Sequence, residues 1–162
     1  MSLSSSSDPR TSASPAGSPA GQVDPRGQRF AAAITSVVLA IALVAVGTPF
    51  ATVLIALQAL VFALGVLAGP SRTPYAALFV RFVRPRIGAP SETEDARPPR
   101  FAQSVGLVFT LIALVAAVAG VVPVAAVAVG FALAAALLNA VTGFCLGCEM
   151  YLIIRRVAPA RA

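Results

Sequence analysis

The side chains of this chain that can do chemistry are gathered in one stretch, Gly143-Phe144-Cys145-Leu146-Gly147-Cys148-Glu149-Met150-Tyr151. Both cysteines of the sequence lie here, with two residues between them. On the first turn of a helix such a pair can hold one thiol beside the helix dipole, which favours the thiolate, while the second thiol resolves a mixed disulfide. The same pair can offer two soft ligands to a metal. The chain has no His and no third Cys. A four-ligand zinc or iron–sulfur site would therefore need a second subunit, the Glu149 carboxylate or a partner protein. Redox or sulfur-carrier chemistry ranks above metal binding, and neither a metal nor a cofactor is expected. The competing structural reading treats Cys145 and Cys148 as small apolar residues packed against Phe144 and Leu146.

Glu149 follows Cys148 directly and is the only acidic residue beyond Asp95. An ionisable group beside a membrane segment is costly and is a functional candidate. It can receive a thiol proton, pair with Arg155 or Arg156, or stand at the interface without a task. A neighbouring negative charge disfavours the thiolate of Cys148. Cys145 is thus the expected nucleophile, Cys148 the resolving thiol, and Glu149 their companion.

The elements that must position these residues follow from the distribution of charge. Hydrophobic residues make up 58% of the 162, charged ones only 11%, and the mean hydropathy is +0.89. Soluble domains carry about 25% charged residues, so a water-soluble globule is excluded. Two long uncharged runs, Phe30 to Ser71 and Phe101 to Cys148, are each about twice the ~20 residues of one membrane-spanning helix. Gly47-Thr48-Pro49 breaks the first run and Gly120–Pro123 the second, because proline disfavours helix at the preceding residue and glycine relaxes the backbone. The expected fold is an all-α membrane protein with four transmembrane helices at about 30–46, 50–69, 101–119 and 124–142. The domain as a whole covers 28–157. A packed helix bundle is favoured because lipid leaves backbone groups no partner outside the segment.

Residues 1–27 are rich in Ser, Pro, Ala and Gly and read as a disordered tail; 158–162 reads as a short C-terminal tail. A signal peptide is the rival reading of the start, with Phe30–Val44 as its apolar region and Ala45-Val46-Gly47 as its cleavage site. A retained helix is the more economical choice, since the two apolar runs match. The central loop, 70–100, divides in two. Pro74–Ile87 mixes Tyr75, Leu78, Phe79, Phe82 and Val83 with Arg81, Arg84 and Arg86, the pattern of an amphipathic interfacial segment. Ala89–Pro99 holds Glu92, Glu94, Asp95 and three prolines and reads as an extended solvent loop.

All of the positive charge, 12 residues, is arginine. Arg10, Arg26 and Arg29 precede the first span. Arg72, Arg81, Arg84, Arg86, Arg97 and Arg100 lie in the central loop, and Arg155, Arg156 and Arg161 follow the last span. The spaces between paired spans carry no charge. The positive-inside rule then places both termini, the central loop and the cysteines on the cytoplasmic side of the inner (plasma) membrane. A permanent structural disulfide is not expected in that reducing compartment. The net charge of +6 serves topology and does not signal nucleic-acid binding, which needs a basic face on a folded domain.

The two halves resemble each other. Arg29-Phe30-Ala31 opens one pair of spans and Arg100-Phe101-Ala102 the other, and Pro49 and Pro123 mark the tips. Both pairs enter from the same side, so a repeat would be parallel, with its pseudo-twofold axis along the membrane normal. Gln58 and Asn139 are polar residues within spans, for which interhelical hydrogen bonding is the ordinary role.

Val23-Asp24-Pro25-Arg26, Pro99-Arg100-Phe101-Ala102-Gln103 and Gly143 to Tyr151 together resemble the bacterial membrane family called domain of unknown function 4395, over about residues 23–156. The resemblance implies no reaction, since the family's activity is not established. It does imply association with thioredoxin-like or rhodanese-like sulfur proteins. A looser similarity connects the chain to four-helix membrane thiol oxidoreductases of the vitamin K epoxide reductase type and to small membrane subunits of sulfur oxidation. Those reductases relay electrons through a second cysteine pair, which this sequence lacks, and their active pair faces outward. The similarity therefore does not carry their mechanism over.

The leading expectation is a membrane-embedded thiol–disulfide or sulfur-transfer component whose partner is a thioredoxin-like or rhodanese-like protein. The second is a non-enzymatic membrane subunit or scaffold, packing through small residues such as Gly65, Gly106 and Gly130. A small-solute transporter is third, because four spans with few buried polar groups offer little to a polar solute unless the chain forms a homo-oligomer.

Overall fold

The computed structural model describes residues 21–158. Residues 1–20 of the disordered tail expected for 1–27, with Arg10 and Arg161 and most of the C-terminal tail, lie outside the described residues. The element order is β1 (Gln22–Val23), α1 (Pro25–Val44), α2 (Pro49–Leu67), a 3-10 turn (Pro70–Arg72), α3 (Pro74–Leu78), a π turn (Phe79–Val83), α4 (Arg84–Ile87), β2 (Glu94–Asp95), α5 (Arg97–Val118), α6 (Val122–Thr142) and α7 (Leu146–Val157). Four of these, α1, α2, α5 and α6, are long and apolar enough to cross a membrane. The chain is an all-α membrane protein; its sheet, among the described residues, is the single two-stranded pairing of β1 with β2.

The helix boundaries show local chemistry at work. Asp24 caps α1, its carboxylate accepting from the Arg26 N–H at 3.0 Å, with Pro25 in the first helical position. Thr48 caps α2 in the same way, accepting from the Ala51 N–H at 3.2 Å ahead of Pro49. Proline is tolerated there because the first N–H groups of a helix have no intrahelical acceptor. This is why α1 and α5 begin about four or five residues before the expected spans: Pro25, Pro98 and Pro99 sit in first turns, where they do not break the helix. Residues 22–27 therefore form β1, the cap at Asp24 and the start of α1, and the solvent loop is shortened by β2 and by the start of α5. Between spans the chain turns at Gly47 and Gly120, whose φ values of 91° and 74° suit glycine.

The bundle packs α1 on α6, α2 on α5, and α5 on α6. Its core is built from Leu39, Ile55, Ala113, Ala128, Val129 and Ala132. Small side chains let helix axes approach closely where lipid provides no hydrophobic drive of its own. Large apolar residues such as Val37, Leu57, Val115 and Val141 point outward, where acyl chains can take the place of a protein core. The buried hydroxyls of Ser36 and Thr110 donate to carbonyls one turn back, Ala32 at 2.8 Å and Gly106 at 2.9 Å, so neither is left unpaired.

One end of the bundle collects the arginines. Val23 pairs with Glu94 across the two short strands, bringing the starts of α1 and α5 together. Arg29, near the start of α1, donates to the Val141 carbonyl at the end of α6 at 3.0 Å. Arg100, near the start of α5, donates to the Leu67 carbonyl at the end of α2 at 3.1 Å. Each guanidinium serves carbonyls that a helix end leaves unpaired and complements the negative pole of the helix. The tips meet at the opposite end, where a Cβ placed on Gly47 would lie 3.4 Å from Val122. Every arginine among the described residues thus falls in segments at the first end.

The segment after α2 is helical from Pro74 to Ile87 through the π turn. Phe79 is buried against Phe30, ring centroids 5.8 Å apart, while Val80 and Phe82 remain exposed. Gln58, fully buried on α2, accepts from the Tyr75 hydroxyl at 2.9 Å and donates to the Thr35 hydroxyl at 3.4 Å. Its expected interhelical role is present.

Candidate functional site

The cysteines are placed by a change of helix. α6 ends at Thr142, and Gly143, at φ 77°, donates its N–H to the Asn139 carbonyl at 2.9 Å. This left-handed cap is a glycine position. Phe144 donates its N–H to the Thr142 hydroxyl at 3.1 Å. Cys145 then adopts an extended conformation and becomes the N-cap of α7. Its sulfur occupies the place of a capping oxygen and accepts the Cys148 N–H at 3.3 Å. A sulfur held there faces free N–H groups and the positive pole of the helix, both of which favour negative charge on it. Cys145 and Cys148 are joined in a disulfide, their Cα atoms 5.2 Å apart, and both residues are partly exposed. The pair is thus held in its oxidised form, within reach of solution.

Gly143 is the residue that interrupts the helix here. Asn139 lies inside α6, and Gly147 lies inside the first turn of α7. Gly147 has a different task. A Cβ built there would meet Ala102 Cα and Cβ at 2.7 Å, so the missing side chain lets α7 lie directly on α5. The Phe101 and Tyr151 rings, 5.8 Å between centroids, make a second contact between these helices. Sequence reasoning missed α7 as an element. The available signals were the glycine at 143, a capping side chain at 145 and arginines at 155 and 156.

Beside the disulfide the bundle encloses a cavity of about 610 Å3. It begins at the arginine-bearing end, among Asp24, Thr73 and Arg84, and runs down to Phe109 and Phe131. Cys145, Leu146, Gly147 and Met150 form part of its wall. Alanines are the commonest residues in the remainder of the wall, and Gln22, Gln28, Thr35, Ser71, Gln103 and Asn139 are among its polar members. The Gln103 Oε1 atom is buried and lacks a hydrogen-bond partner. The Gln103 amide lies against Gly65, where an added Cβ would be 2.8 Å from its Cδ. Sequence reasoning gave Gln103 no role beyond membership of a motif, and nothing in one dimension marks it as the orphan.

Glu149 occupies the first turn of α7 and is exposed. Among the described residues the ion pairs are Asp24–Arg26 and Asp95–Arg97, so Glu149 reaches neither Arg155 nor Arg156. Those arginines follow six and seven residues later in the last turn of the helix, about 9–10 Å along its axis. Acid at the start and base at the end both suit the helix dipole. Among the described residues no three His, Cys, Asp or Glu side chains converge as a metal site. Of the small residues considered for partner packing, Gly65 and Gly106 are occupied within the chain, by Gln103 and by the Phe62 ring. Only Gly130 faces open space.

The chain matches the family described as domain of unknown function (DUF4395) over residues 23–156, and it belongs to that family. No curated protein matches it, and no solved structure does.

Proposed function

We propose that this member of the DUF4395 family is a thiol–disulfide or sulfur-transfer component of the inner (plasma) membrane, with Cys145 as nucleophile and Cys148 as resolving thiol. The observation that carries this reading is the Cys145 sulfur acting as the N-cap of α7, in contact with the Cys148 N–H and within bonding reach of Cys148. Glu149, exposed in the first turn of α7 directly after Cys148, is the proposed proton partner of the departing thiol. The one-sided arginines support a cytoplasmic position for both termini and for the disulfide. A cytoplasmic thioredoxin-like or rhodanese-like protein is then the partner. Cys148→Ser leaves Cys145 unable to resolve an adduct, so a reductant-sensitive mixed disulfide should accumulate and vanish when Cys145→Ser is added. The reading fails if no adduct forms and cells carrying both substitutions keep the wild-type phenotype.

We also propose that the two halves are a duplication related by an axis along the bundle. Three correspondences support it. Asp24–Arg26 and Asp95–Arg97 are equivalent ion pairs at the starts of α1 and α5. Arg29 and Arg100 bond the ends of α6 and α2. Thr73 caps α3 by accepting from Ala76 N–H at 3.2 Å, as Cys145 does from Cys148 at 3.3 Å. On this reading Cys145 and Cys148 stand where the first half has Thr73 and Ala76.

A further inference from the structure

We infer that α7 is an interfacial helix that lies on anionic phospholipid, its apolar side against the acyl chains and Arg155 and Arg156 on the headgroup phosphates. The inference goes beyond the thiol–disulfide reading and does not depend on it. It uses the duplication only to match α7 with a second helix.

The residues of α7 are sorted by side. Leu146, Met150, Ile153, Ile154 and Val157 recur at the spacing that gathers side chains on one face of a helix. Cys148, Glu149, Arg155 and Arg156 take the other, with Leu152 among them. Gly147 and Tyr151, at the flank of the apolar face, hold α7 on α5. No residue of α7 is buried, and Ile153, Ile154 and Val157 are 56%, 51% and 76% exposed. Arg155 and Arg156 are exposed too, and neither pairs with a carboxylate among the described residues. Exposed apolar side chains beside unpaired guanidinium groups fit a surface that is apolar on one side and anionic on the other.

The helical segment from Pro74 to Ile87 presents the same features. Counted from the caps Thr73 and Cys145, the sixth residues are Phe79 and Tyr151, the ninth Phe82 and Ile154, and the eleventh Arg84 and Arg156. Phe79 packs on Phe30, and Tyr151 on Phe101, with the same 5.8 Å between ring centroids and the same 48° between planes. Phe82 and Ile154 are equally exposed, at 51%. Phe30 lies in the first turns of α1 and Phe101 in those of α5. Both segments therefore stand at the arginine-bearing end, one beside α1 and the other beside α5. A bilayer surrounds the bundle and meets both at one level, whereas a protein docked on one face would meet one of them. That repetition favours lipid as the occupant. The disulfide, at the start of α7, is then held at headgroup level with Cys148 on the side turned to water.

The chain has no tryptophan, so a single introduced indole reports its own surroundings. Ile154→Trp and, on the polar side, Leu152→Trp are each made in the full chain and placed in nanodiscs of phosphatidylcholine and phosphatidylglycerol. Bromine on the acyl chains of one lipid at a time quenches an indole that it touches. We expect stronger quenching of Ile154→Trp than of Leu152→Trp. Brominated phosphatidylglycerol should quench Ile154→Trp more than phosphatidylcholine brominated at the same mole fraction. An arginine near an anionic surface is worth about fivefold in association. Arg155→Gln with Arg156→Gln should therefore remove most of the preference, while Arg155→Lys with Arg156→Lys should keep it. Raised salt should also remove it with the arginines in place, which keeps the test decisive if the Gln pair fails to insert. An indole at position 154 that neither lipid quenches, as beneath a bound protein or a second copy of the chain, overturns the inference. So does quenching that ignores headgroup charge. A mixed disulfide with a thioredoxin-like protein would leave the thiol reading standing in either case.

Discussion

Gly147→Ala separates a positioned disulfide from one that merely happens to lie near the bundle. The new methyl carbon would stand 2.7 Å from both Ala102 Cα and Ala102 Cβ. Carbon atoms in ordinary contact are about 3.5–4.0 Å apart, so α7 must retreat from α5 by roughly 1 Å. Ala102 Cα is backbone within a spanning helix and cannot turn aside. Overpacking of this kind costs about 1–3 kcal/mol, and the displacement carries Cys145 away from the cavity and loosens the Phe101–Tyr151 contact. Gly65→Ala is the matched control: its neighbour is the flexible Gln103 side chain, which can rotate away. We expect Gly147→Ala to lower the midpoint of thermal unfolding in detergent well beyond the change caused by Gly65→Ala. It should also alter the reaction rate of reduced Cys145 with a soluble disulfide. If Gly147→Ala leaves stability and thiol reactivity at wild-type values, close packing of α7 on α5 does not position the cysteines.

Cys145→Ser should retain α7, since a serine oxygen can accept the Cys148 N–H, whereas Cys145→Ala should destabilise the protein by about 1 kcal/mol through loss of the cap; thermal unfolding distinguishes the two. Burial raises the Tyr75 hydroxyl above its ordinary value. The folded state therefore holds that proton more tightly than the unfolded state. The stability linked to it is complete below about pH 10, falls as pH rises through the higher folded value, and should lose this pH dependence in Tyr75→Phe; unfolding curves across pH 9–12 would show whether it does. If the halves are duplicated, Thr73→Cys with Ala76→Cys should form a second disulfide, visible as two further protected thiols on mass analysis after alkylation; persistent free thiols under oxidising conditions would count against the duplication.

Those parts of the fold that depend on chain-local quantities could be read in advance. Two uncharged runs broken at Gly47 and Gly120, with arginines confined to one side, determine four spans, and the structure has them. Helix starts were displaced because Pro25, Pro98 and Pro99 look like breakers until a capping position makes them first-turn residues. α7 escaped notice because its 12 residues are too few and too mixed to stand out beside a spanning segment. The candidate cysteines were legible as a pair from their spacing. Their setting was not. That Gly147 touches Ala102, that Gly65 supports Gln103, and that alanines on separate helices leave a cavity are all facts about which faces meet. A composition rich in Ala, Val and Leu fits many such pairings, so the register is decided only by the packed bundle.

The most direct test of the central claim measures the redox state and alkylation rate of Cys145 and Cys148 in intact membranes, with an impermeant reagent applied to either side. The account predicts that the two thiols interconvert with their disulfide as a single two-electron couple. Once reduced, they should be labelled from the cytoplasmic side alone, Cys145 faster than Cys148. Thiols that never oxidise under a changing redox buffer, or that label only from outside, would contradict it.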